Sequence, residues 1–150
     1  MKHEIETVWM GSMKFNALVN GHTIVMDAPE RVGGTNEGPI PKPLMLTALS
    51  GCTGMDVVNM LRKAGHTLKG FDMRVSGELS KGTPMVYTGV HVVYVAKGED
   101  ATQDEFLQAV LRSQTDLCGA SAMLRKAVSI TWEVIFNDVL IYSNRSEICV

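Results

Sequence analysis

An α+β fold, with elements in the order βββ–α–ββ–α–α–β, is what the sequence predicts, and three observations carry that prediction. Apolar and polar residues alternate over 4–9 (EIETVW) and 13–19 (MKFNALV), and HTIVMD follows, the pattern of half-buried strands. A stretch of helical length, PKPLMLTALSGCTGMDVVNMLRKAG from Pro41 to Gly65, comes next and is apolar nearly all round. The two-residue period then returns over 68–80 and 85–96 before helical spacing takes over again. Strands grouped before and after a helix, instead of alternating with helices one for one, read as α+β. The 150 residues are one domain's worth of chain, 1–150, with no internal repeat and no dividing linker.

Each element has its own justification. Gly11-Ser12 separates the first two strands, and Asn20-Gly21 is a strong hairpin signal, so three antiparallel strands open the chain. Residues 28–40, APERVGGTNEGPI, read as a loop, a flexible connector into the helix, although loops of this length also build lids and site walls. GGTNEG lacks a following lysine and serine or threonine, which excludes a phosphate-binding P-loop. Pro41 and Pro43 suit a first helical turn; Arg62, Lys63 and Gly65 suit a helix C-terminus. A helix apolar nearly all round is expected to be covered on several sides. It is not expected to span a membrane, because Thr47, Ser50, Thr53, Asp56 and Asn59 interrupt it and a carboxylate at that depth is costly in lipid.

Lys81-Gly82-Thr83-Pro84 turns the second hairpin, and residues 97–102 form a polar connector. Thr102 with Glu105 predicts a capping box for a helix bearing Phe106, Leu107, Val110 and Leu111 and ending near Ser113. A short helix over 118–126, introduced by Thr115-Asp116, precedes a last strand over 128–136. Asn137-Asp138 then turns into a short tail, VLIYSN.

Composition narrows the function. With 45 % apolar and 20 % charged residues, the chain is ordinary for a globular protein. A net charge of −2, without runs of either sign, gives no nucleic-acid footprint. MKHEIETVW lacks the apolar centre of a signal peptide, so a cytoplasmic address is expected. Three cysteines, Cys52, Cys118 and Cys149, are too few and odd in number for a secreted disulfide scaffold. They remain as inert core thiols, metal ligands or redox-active thiols. There is no CxxC pair, and His3, His22, His66 and His91 are scattered, so no metal and no cofactor is expected. Ten methionines without a repeat read as flexible core filler. Cys52 sits mid-helix, with Asp56 one turn on along the same side. Cys118 opens a short helix, where backbone N–H groups favour a thiolate; Cys149 is expected to fray in solvent.

Taken together, SGCTGMDVVNMLRK after a Pro-rich approach and DLCGASAML later in the chain resemble the OsmC/Ohr family of thiol peroxidases. Gly33-Gly34-Thr35, Gly38-Pro39, Pro41 and the GCTGMDVV of residues 51–58 are most similar to its OsmC-like branch. The resemblance implies antiparallel sheets wrapped around a long buried central helix, in an intertwined homodimer with active sites at the subunit interface. It implies a peroxiredoxin-like organic hydroperoxide reductase serving detoxification under oxidative stress. Cys52 would attack the peroxide and become a sulfenic acid, Cys118 would resolve it to a disulfide, and an external dithiol would reduce that. Peroxidase members supply an arginine from the first hairpin and a glutamate from the start of the helix. Here those stretches read Gly11-Ser12-Met13-Lys14-Phe15 and Pro41-Lys42-Pro43-Leu44. Lys14 is the nearest candidate cation, with Arg31, Lys42 and Arg125 behind it, and Asp56 is either catalytic or a structural acceptor. The alternative is a non-catalytic dimeric member that binds a small apolar ligand at the interface.

Overall fold

Alternation delivers strands where it predicts them. A computed structural model describes residues 2–99 and 102–145, so Cys149 and part of the 97–102 connector lie outside the described residues. The chain forms two units, Met1–Met45 and Leu46–Val150.

In the first unit β1 (Glu6–Trp9), β2 (Phe15–Val19) and β3 (His22–Met26) form an antiparallel sheet in that order. Asn20 and Gly21 both take positive φ, 50° and 81°, as the tight hairpin turn requires. Of the strand residues only Ala17 is buried, and Trp9 is 63 % exposed. The loop that follows, with one 3-10 turn at Glu30–Val32, is not a flexible connector. The buried Asp27 carboxylate accepts the N–H groups of Ala28 (2.7 Å), Thr35 (3.0 Å) and Glu37 (3.1 Å), and the Thr35 hydroxyl at 2.8 Å. These bonds, the Glu37 N–H foremost, hold its pKa at about 2. Gly34 is fixed by the same fold-back, since a Cβ there would lie 1.8 Å from the Ala28 carbonyl oxygen.

α1 (Leu44–Lys63), which belongs to the second unit from Leu46 onward, ends in a Schellman motif. Gly65 takes φ 82°, its N–H bonds the Arg62 carbonyl at 3.2 Å, and the His66 N–H bonds Leu61 at 2.9 Å. Among the described residues α1 is the one helix long and apolar enough to cross a membrane. In this fold it buries a single stripe, Leu49, Thr53, Val57 and Leu61, four residues apart, into the core. Met45, Met55 and Val58 on its other sides are exposed. The all-round covering expected from composition is therefore not present within one chain.

β4 (Gly70–Leu79) and β5 (Tyr87–Lys97) form the long hairpin. α2 (Gln103–Arg112), a π-helical turn (Ser113–Leu117) and α3 (Gly119–Leu124) then cross over to β6 (Ser129–Phe136). That crossover lets β6 lie parallel to β5, while β7 (Val139–Ser143) returns antiparallel, giving the order β4-β5-β6-β7. The VLIYSN tail is thus largely a strand. The capping box does not form, because the Thr102 hydroxyl donates instead to the Glu99 carbonyl at 2.7 Å. Alternate residues Val90, Val92, Tyr94 and Ala96 of β5 and Ile130, Trp132, Val134 and Phe136 of β6 are buried in one core with the α1 stripe and Phe106.

Candidate thiol site

A polar chain runs through that apolar core and ends at the thiols. Thr53 stands on the buried stripe of α1, its hydroxyl 2.7 Å from the Tyr94 hydroxyl and 2.8 Å from that of Ser113. Gln114 donates from Nε2 to the Tyr94 hydroxyl at 2.5 Å, and Ser113 donates to Asp56 Oδ2 at 3.0 Å. One direction satisfies every member: Gln114 gives to Tyr94, Tyr94 to Thr53, Thr53 to Ser113, and Ser113 to the Asp56 carboxylate. Ser121 donates to Gln114 Oε1 at 2.9 Å, and Arg125 donates to the Gln114 carbonyl. Burial among these groups pushes the Tyr94 phenol up to about 12. The π-helical turn is what points Ser113 and Gln114 inward, both almost fully buried.

Cys118 is the N-cap of α3, its sulfur accepting the Ser121 N–H at 3.4 Å, while its own N–H bonds the Ser113 carbonyl at 2.8 Å. It is buried, whereas Cys52 on α1 is half-buried, and both are free thiols. The two sulfurs and an Asp56 oxygen all lie within 4.8 Å of one another. Burial pushes the Cys52 thiol up, the Ala120 N–H opposes that, and Cys118 and Asp56 add to the rise.

The fold thus brings Cys52, Cys118 and Asp56 together. Lys14 belongs to the first unit, where its ammonium pairs with Glu37 at 2.8 Å, and Arg31 stands on the 3-10 turn of that unit. Lys42 precedes α1, and Arg125 is engaged with Gln114. Sequence reasoning missed Thr53, Tyr94, Ser113, Gln114 and Ser121. Thr53 carried a usable signal, a hydroxyl four residues from Leu49 and Val57 on a helical face; Gln114, in what reads as a linker, carried none.

Residues 34–133 match the model of the family described as OsmC-like protein. The chain belongs to that family. Among curated relatives it is 28 % identical over 130 residues to protein YhfA of Escherichia coli K12, covering 85 % of this chain and 94 % of that one. Among solved structures, a hypothetical protein from Aquifex aeolicus is 25 % identical with a TM-score of 0.75, over 91 % of this chain and 98 % of that one. An organic hydroperoxide resistance protein OsmC from Legionella pneumophila has the same fold, with a TM-score of 0.66 at 15 % identity, over 90 % and 97 %. The OsmC-like family match and this structural likeness agree with the α+β architecture read from the sequence.

Proposed function

We propose that the chain is a two-cysteine thiol peroxidase that reduces organic hydroperoxides. The observation that carries this reading is the meeting of Cys52 and Cys118, thiols on separate helical elements 66 residues apart, with backbone N–H groups of α3 turned to both sulfurs. The Cys52 thiolate attacks the distal oxygen of ROOH; the O–O bond breaks, ROH leaves with a proton, and Cys52 becomes a sulfenic acid. The Cys118 thiol displaces that hydroxyl as water, forming a disulfide, and an external dithiol of the cytoplasm returns both sulfurs to thiols. Residues 1–150 act as one OsmC-like domain, since the family match crosses the boundary between the two units. The exposed apolar side of α1 and the sparsely buried first sheet support a homodimer that covers them.

The test is stoichiometric: one equivalent of cumene hydroperoxide is added to reduced protein and free thiols are counted. Rapid loss of two thiols, with a Cys52–Cys118 disulfide found by peptide mapping, is the expected result. No loss over minutes overturns the peroxidase reading.

Two observations favour a second reading, a non-catalytic dimeric member that binds a small apolar ligand. The Cys52 thiol is raised where a peroxidatic thiol needs lowering, and a groove of about 460 Å³ runs beside α1, lined by Gly51, Gly54, Met55, Val58, Phe71 and Met73. Titration of Cys52 separates the readings, for a peroxidatic thiol ionises well below the ~8.5 of free cysteine.

A further inference from the structure

We propose that Cys52, Asp56 and Cys118 form a binding site for a single zinc ion. Two thiolates and a carboxylate are a three-ligand set of the kind that holds zinc with its fourth tetrahedral position left for water. Sulfur in such a set excludes magnesium and calcium, which take oxygen ligands. The three donor atoms lie within 4.8 Å of one another, a span that admits the roughly 3.8 Å between two tetrahedral sulfurs on zinc–sulfur bonds of about 2.3 Å.

Two further observations point the same way. Each donor is already oriented by a second group: Ser113 donates to Asp56 at 3.0 Å, the Ser121 N–H to Cys118 at 3.4 Å, and the Ala120 N–H to Cys52. Such outer partners fix ligands around a metal. The site also gathers two thiols and a carboxylate, whose deprotonated forms a divalent cation would neutralise. Binding releases one proton from each thiol, so affinity rises with pH. Zinc and the disulfide are mutually exclusive, because sulfurs joined at ~2.05 Å cannot both hold the ion. The inference concerns the same thiols as the peroxidase reading but does not depend on it.

The test uses reduced full-length protein in a Cys149→Ser background, titrated with zinc against a chromophoric chelator, and with cobalt as a spectroscopic probe. Expected are one ion per chain, a sulfur-to-cobalt charge-transfer band, and protection of both thiols from alkylation. Cys52→Ser and Cys118→Ser each abolish the one-to-one uptake, and Asp56→Asn lowers the affinity read against the chelator while the sulfur band persists. Absence of stoichiometric uptake, or uptake unchanged in Cys118→Ser, overturns the proposal. The peroxide test on metal-free protein is read separately. Thiol loss without zinc uptake removes the zinc site alone, and zinc uptake without thiol loss removes the peroxidase alone.

Discussion

Tyr94→Phe removes one oxygen atom from the centre of the polar chain and leaves the surrounding packing as it was. The ring still stacks on Phe71, with centroids 6.5 Å apart and planes 7° from parallel, so the lost atom is the whole perturbation. Thr53 keeps Ser113 as a partner, but Gln114 Nε2 loses the phenol oxygen it bonds at 2.5 Å, and Gln114 is almost fully buried. A buried donor left without its acceptor costs about 1–3 kcal/mol. For a chain of this length, at roughly 2–4 °C per kcal/mol, the melting temperature falls by about 5 °C. Thermal unfolding followed by circular dichroism at one fixed protein concentration measures it, the concentration being held because any dimerisation shifts the midpoint. Adding Gln114→Leu removes the orphaned donor, so the double variant loses less than the sum of the singles. A Tyr94→Phe protein within ~0.5 kcal/mol of the parent, or strictly additive losses, would refute the account of the network.

The remaining predictions concern the loop, the thiols and the assembly. Gly34→Ala drives a Cβ to 1.8 Å from the Ala28 carbonyl oxygen, costing roughly 1–3 kcal/mol or more, while Gly89→Ala, with open space around it, stays within about 0.5 kcal/mol; thermal melts compare the two. Because Asp27 is held at about 2 against 3.8, its stabilisation is complete above 3.8 and drains away as pH falls towards 2; Asp27→Asn flattens that part of an acid-unfolding curve. Cys52→Ser abolishes peroxide consumption, and Cys118→Ser completes one turnover and stalls at a sulfenic acid that a dimedone-type trap captures. Sedimentation at micromolar concentration finds a dimer, and a folded monomer there removes the dimer from the reading.

Much of the fold was legible because the physics that sets it is local. Alternation placed β1 to β6, Asn20-Gly21 marked a turn with both φ angles positive, and Gly65 marked the helix end it caps. What was illegible depended on distant partners. VLIYS does not alternate, and its strand β7 pairs with the edge of β6. The parallel direction of β6 beside β5 follows from the crossover that joins them, which neither strand's own pattern announces. Thr102 and Glu105 have the spacing of a capping box, yet the Thr102 hydroxyl finds the nearer Glu99 carbonyl first. At the site, Cys52, Asp56 and Cys118 were visible as residue types and helix positions. The chain of hydroxyls from Tyr94 to Asp56 was not, since its members come from α1, β5 and the π-helical turn.

The parallel pairing of β5 with β6 is a contact of a different kind from the hairpins beside it. β4 and β5 are neighbours in sequence, whereas β6 meets β5 across the whole segment from Gln103 to Leu124. Closing such a non-local contact is entropically slow. Cys118 lies on that same segment, so the meeting of its sulfur with Cys52 is itself a non-local contact, and it exists only where the crossover is packed against α1.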